Sequence, residues 1–179
     1  MKKIIWTFGI IAGVILVTML FLAIPFMDDP GSFAMGKVVG YTVMTIALST
    51  VFFAVKMVRD KEKRGFISFK NAFLTGLYVT LIASVMYAIG WEVIYQTSQS
   101  DFMEKYTQAQ IENMREDGAS EAKIEAKREE MEYWSGLYEN PIIRFGFTLI
   151  EILTVGLPIT LLSALILKRR ENGRETITV

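Results

Sequence analysis

Residues 145–167 read FGFTLIEILTVGLPITLLSALIL, 23 residues with a single charge, Glu151. A hydrocarbon layer about 30 Å thick is crossed by about 20 helical residues at 1.5 Å rise each. Backbone amides inside lipid find no water to bond, so a run of this length has to satisfy them internally, as a helix. Three more apolar runs match it, and the spacing predicts spans over residues 4–27, 36–58, 70–95 and 141–167. A soluble bundle would give each helix a polar outer face, and these runs have none.

Composition points the same way. Apolar residues make up 52% of the 179, and mean hydropathy is +0.36. The 19 basic and 19 acidic residues cancel, which gives no overall attraction to nucleic acid. There is no cysteine and no histidine. That removes thiolate nucleophiles, thiolate zinc sites, iron–sulfur clusters, imidazole bases and histidine-held haem. No cofactor, metal or enzymatic activity is expected. Carboxylate chemistry stays open, since Asp and Glu can still bind divalent cations or carry protons.

Lysine and arginine set the expected orientation. Lys2 and Lys3 precede the first run, six bases from Lys56 to Lys70 fill the second connection, and Lys168, Arg169, Arg170 and Arg174 follow the fourth run. The first connection, Asp28-Asp29-Pro30-Gly31, is acidic. Both termini and the basic loop are therefore expected in the cytoplasm of a bacterial inner-membrane protein. The competing reading of the first run is a cleaved signal peptide. Its apolar stretch is longer than an h-region, and Ala23-Ile24-Pro25-Phe26 makes a poor cleavage site.

Residues 96–140 form the one long polar connection, with eleven acids against five bases. Met103, Tyr106, Gln110 and Met114 recur at helical spacing, Gly118 offers a stop, and Ser120 can cap a second helix. That second helix carries Ile124, Met131, Trp134 and Tyr138 on its apolar face, with Glu125, Arg128 and Glu132 at ion-pair spacing. Asn140-Pro141 then opens the fourth span. The expected fold is all-α: an integral membrane bundle of four transmembrane helices, with an extracytoplasmic helical hairpin between helices 3 and 4.

Among candidate functional residues Glu151 stands first. It lies seven residues past Arg144, about 10 Å deeper in the bilayer, where a bare carboxylate costs several kcal/mol. It reads either as a proton or cation relay or as an interhelical hydrogen-bond partner for Tyr41, Thr42, Thr45, Thr80, Ser84 or Tyr87. Glu92 and Arg144 fall at similar depth and are expected either to pair or to snorkel to the headgroups. Trp91, Tyr95 and Tyr41 suit an outer aromatic belt, with Trp6 on the inner one. Gly9/Gly13 and Gly36/Gly40 are GxxxG patterns, Ala72/Gly76 is a looser relative, and Gly156-Leu157-Pro158 is expected to loosen the fourth span. In the basic loop Arg59, Asp60 and Ser68 are the candidates, Ser68 as a helix cap and Phe66, Ile67 and Phe69 as residues dipping into the interface.

The elements Arg59-Asp60, Gly65-Phe66-Ile67-Ser68-Phe69, Ala72-Phe73 and Gly76 occur with a second set near the C-terminus. That set is Asn140-Pro141, Glu151, Val155-Gly156-Leu157 and residues 162–169, LSALILKR. Together they resemble the bacterial integral membrane family catalogued as domain of unknown function 4199. The resemblance covers nearly the whole chain and implies four spans with cytoplasmic ends and no established activity or catalytic residue. The leading functional expectation is a non-enzymatic scaffold or interaction protein. Its expected partners are membrane lipids, further copies of the chain, or a protein meeting the acidic insert or the basic loop. The alternative is a small proton- or cation-coupled transporter using Glu151.

Since the chain has no cysteine, single introduced cysteines report sidedness. Ser120→Cys should react with an impermeant maleimide in intact cells, and Lys63→Cys only after lysis. Labelling of Lys63→Cys in intact cells overturns the orientation.

Overall fold

A computed structural model describes residues 1–26 and 32–169. The acidic first connection, Arg170 and Arg174 lie outside the described residues. The elements are α1 (Lys2–Ala23), closed by a 3-10 turn at Ile24–Phe26, α2 (Ser32–Leu48), α3 (Thr50–Met57), α4 (Phe69–Ser98), α5 (Phe102–Glu116), α6 (Glu121–Tyr138) and α7 (Pro141–Leu167). Four helical stretches are long and apolar enough to cross a membrane: Lys2–Ala23, Met35–Glu62, Phe69–Ser98 and Pro141–Leu167. Together with an all-helical chain, they make this a multi-pass membrane protein.

The second span, Met35–Glu62, is one helical stretch marked by a single turn residue where α2 passes into α3. Ser49 separates them, and it donates its hydroxyl back to Ile46 O at 2.6 Å while Thr50 donates to Ala47 O at 2.7 Å. Hydroxyls that bond the preceding turn compete with the backbone ladder and bend helices. Beyond α3, residues Val58–Glu62 form a π-helical turn that carries Arg59 and Asp60. The chain then reverses through Arg64 and Gly65, both with positive φ. Gly65 suits this position because it has no Cβ to clash.

The central element is α4, which packs on α1, α3 and α7. Between helices in lipid there is little hydrophobic gain, so close approach and dispersion decide the packing, and small residues permit it. Gly9 and Gly13 of α1 lie against Ile82 and Met86 of α4. On the other side, Gly76 of α4 meets Thr160 of α7, and Gly156 of α7 meets Thr80 of α4. The two threonines hydrogen-bond across this contact at 3.1 Å, with both residues buried. The α7 helix runs unbroken through Pro158. The first GxxxG pattern thus joins α1 to α4. The second joins nothing, since a Cβ at Gly36 or Gly40 would find no atom within 4 Å.

At one end of the bundle the N-terminus, the end of α7 and the basic loop come together. Met1 N pairs with Glu62, and Ile67 and Arg169 exchange backbone hydrogen bonds of 3.0 and 2.9 Å. Ile67 is therefore buried in the protein core with Val58, Ala72 and Leu167 rather than dipped into the lipid interface. This end is densely packed.

The opposite end carries α5 and α6. Gly118 takes positive φ just past α5, and Ser120 sits at the N-cap of α6, although its side chain makes no capping bond. Ile124 and Met131 are buried as the periodicity required, while Trp134 keeps 39% of its surface exposed. Glu125 pairs with Arg128 at 3.7 Å. Asn140 caps α7 by accepting from Ile142 N at 2.9 Å, with Pro141 as the first helical residue.

A bidentate ion pair ties α4 to α7 at this end. Arg144 Nε and Nη2 donate to Glu92 at 2.9 and 2.6 Å, and Nη1 donates to the Tyr138 carbonyl at 2.8 Å. The guanidinium stacks 3.8 Å from the Tyr95 ring centre, and Arg144 is only 3% exposed. The pairing alternative of the sequence reading holds here, and snorkelling does not. One side chain fixes the top of α7, the end of α6 and the top of α4.

Two predictions follow from this packing. Gly156→Ala places a Cβ 2.3 Å from Thr80 Cγ2 and should cost about 1–3 kcal/mol in thermal or denaturant unfolding. Thr80→Ala should recover part of that loss, and Gly36→Ala, which touches nothing, should be neutral or slightly stabilising. Arg144→Met strands a partly buried carboxylate and should cost about 3 kcal/mol or more. It should also speed proteolysis at the α5–α6 turn, whereas an unchanged melting profile and digestion rate would show that the pair holds nothing.

Candidate functional site

Where α2 diverges, the structure leaves a cavity of about 1020 Å³. The walls are Leu16, Met19 and Leu20 of α1, Val39, Tyr41 and Met44 of α2, Tyr87 and Trp91 of α4, and Phe147 of α7. Phe102, Met103, Met131, Trp134 and Tyr138 of α5 and α6 close it from the far end. The volume falls at the upper limit of ordinary ligand pockets. Its lining is apolar and aromatic, with few polar groups.

Glu151 reaches this cavity from α7, at its deepest level. Just below lie Ala12, Leu48, Ala83 and Ile152, all buried in one cluster. Glu151 itself is accessible, and among the described residues it forms no hydrogen bond or ion pair. The hydroxyls proposed as its structural partners are engaged elsewhere. Thr80 bonds Thr160, Ser84 donates to Thr80 O at 2.8 Å, and Thr42 and Thr45 donate to Val38 O and Tyr41 O. Tyr41 and Tyr87 share the cavity with Glu151 but make no bond to it. Among the described residues Glu151 thus makes none of these interhelical hydrogen bonds, and it borders the cavity.

Three other charges line the cavity, all near α5 and α6. Lys37 Nζ donates to Tyr106 Oη at 3.1 Å and lies 4.9 Å from that ring's centre. Lys127 Nζ donates to Glu130 at 3.0 Å, which holds the Glu130 carboxyl below the usual carboxylate range. Tyr138 accepts from Trp91 Nε1 at 2.7 Å, and burial pushes its phenol up to about 12, so it stays protonated at physiological pH. These charges are internally satisfied. Glu151 is the charge-bearing group left over, among the described residues.

The aromatic belt of the sequence reading needs correction. Tyr41 is 48% exposed and borders the cavity, but Trp91 is 6% exposed and belongs to a stack with Tyr95, Phe102 and Tyr138. A tryptophan with a buried hydrogen-bond partner gains more from that partner than from the headgroup layer. Sequence periodicity could not show that α5 and α6 fold over it.

The remaining candidates lie at the other end and do not join this site. Arg59 Nε donates to Asp60 at 2.7 Å, a local pair on the π-turn, and Ser68 accepts from Asn71 N at 3.3 Å as the α4 cap. Phe8, Phe53, Met57 and Asp60 border a shallow groove of about 400 Å³ there. Glu92 and Arg144 clamp the helices beside the large cavity but do not line it. Sequence reasoning placed Tyr41 and Tyr87 near Glu151 but did not reveal that Lys37, Trp134 and Phe147 line the same cavity. The one available signal was a GxxxG pattern in α2 with no matching small or bulky partner elsewhere.

No curated protein and no solved structure matches this chain. The family model described as Protein of unknown function (DUF4199) matches residues 7–169. Spanning nearly all of the four apolar helices and the segment between the last two, that match makes the chain a member of the family.

Proposed function

We propose that this chain is a non-enzymatic, multi-pass inner-membrane interaction protein that holds an apolar molecule beneath a periplasmic helical hairpin formed by α5 and α6. The observation that carries this reading is the aromatic cavity of about 1020 Å³, open beside α2 and closed below by Ala12, Ala83 and Ile152. Lipid-facing helices normally pack their small residues against a neighbour. Here Gly36 and Gly40 border empty volume instead. The charge distribution supports both termini and the basic loop lying in the cytoplasm. The exposed acidic faces of α5 and α6 are then the surface offered to a protein partner.

Coupled transport is the second reading, favoured by the unpartnered carboxylate of Glu151. Transport requires a route past the buried layer below it and past the Thr80–Thr160 contact. A one-ended cavity suits binding better than passage.

Native mass spectrometry of gently solubilised protein tests the proposal. The wild type should retain an apolar molecule. Gly40→Trp, which projects a large side chain beside the cavity, should lose it while eluting as a folded species. Equal retention by both forms, or none by the wild type, overturns this reading.

A further inference from the structure

Resting on the cavity reading above, we propose that the molecule held there is a phosphate-free organic cation, its positive charge set against Glu151 and its apolar body among the aromatic walls. Two observations lead to it. Glu151 has no partner among the described residues, while Lys37, Lys127 and Glu130 are each engaged. A lone carboxylate on a cavity with apolar walls attracts a cation strongly, because the local dielectric is low and screening by salt is weak. Tyr41, Tyr87, Trp91, Trp134 and Phe147 line the same cavity, and aromatic faces favour cations over anions. A neutral ligand would leave the carboxylate unpaired, and an anionic one would be repelled by it.

Depth then separates a free cation from a membrane phospholipid. Glu151 lies seven residues beyond Arg144, about 10 Å further in along α7. In an ethanolamine phospholipid the ammonium and the phosphate are two carbons apart. An ammonium at Glu151 would hold that phosphate inside the cavity, whose lining is mostly apolar and aromatic. The cavity's two lysines sit on Tyr106 and Glu130, at the level of α5 and α6. The phosphate would have no counter-charge, and an unpaired buried charge costs several kcal/mol. A body of aromatic or aliphatic groups carrying one cationic centre meets neither penalty.

Three probes of nearly equal shape separate charge from volume: tetraphenylphosphonium, neutral tetraphenylmethane and tetraphenylborate. Each is titrated into the full chain in detergent and followed by the fluorescence of Trp91 and Trp134 and by thermal shift. The phosphonium should bind at least tenfold more tightly than the neutral probe, and the borate should bind weakest. Glu151→Gln should abolish the preference for the cation while leaving the neutral probe's affinity within about twofold. Glu151→Asp, which keeps the charge, should retain the preference. Equal affinity for cation and neutral probe in the wild type overturns the assignment of charge and leaves the apolar-binding reading standing. Binding of none of the three overturns both. Displacement of the phosphonium by phosphatidylethanolamine, with binding of that lipid lost in Glu151→Gln, would make a phospholipid headgroup the occupant and overturn the phosphate-free assignment.

Discussion

The whole arrangement depends on how closely α4 approaches its neighbours. Gly9 and Gly13 bring α1 against Ile82 and Met86, and the reciprocal Gly76/Thr160 and Gly156/Thr80 contacts bring α7 against the opposite face. Lipid tails are as apolar as leucine, so burial alone would not hold these helices together. Contact area at short range does, reinforced by the Thr80–Thr160 hydrogen bond. With α1 and α7 fixed to either side of α4, the position of every other element follows.

The second span shows what happens without that device. Its α3 half packs into the core through Val51, Ala54 and Val55, and the end of α2 does so through Met44, Ala47 and Leu48, whereas the stretch of α2 from residue 35 to 41 borders open volume. The volume between α2 and the other three helices becomes the cavity, and the Glu92–Arg144 pair keeps α6 and α7 in place to close its far end. Tight packing on one side and divergence on the other thus have a single origin. Glycines placed against bulky side chains pull helices together, while glycines facing nothing leave α2 apart.

Much of this was legible in the chain. Long uncharged runs announced the spans, Gly118 and Asn140-Pro141 marked the ends of α5 and the start of α7, and matching depth brought Glu92 to Arg144. These depend on local rules or on counting along a helix. The environment of Glu151 depends on something else, namely which face of α2 meets α7 and how far α5 and α6 reach across. A hydroxyl at the right depth, such as Thr80 or Thr45, looked like a partner. Yet each hydroxyl has a nearer acceptor on its own or the adjacent helix. Likewise Trp91 had the depth of a belt residue, but Tyr138, 47 positions later in sequence, supplies its hydrogen bond. The turn residue at Ser49 was missed because serine and threonine are ordinary within membrane helices.

The two ends of the protein differ in a way that bears on function. At the end that carries the basic loop, the Ile67–Arg169 backbone bridge and the fully buried Val51, Ala54, Val55 and Val79 make a closely packed base with only a shallow groove on its surface. At the opposite end, aromatic rings and paired charges surround space. Proteins place binding where a rigid scaffold supports a less constrained edge, and a carboxylate is retained inside a membrane protein at considerable cost only where something compensates it. Glu151 sits at the boundary between the two regimes, next to the buried Ile152 and open to the cavity above. Moved one turn deeper it would be sealed in apolar packing, and one turn shallower it would approach the Arg144 guanidinium. At its own level on α7 the carboxylate borders the cavity, beyond the Arg144 guanidinium and above the buried layer at Ile152.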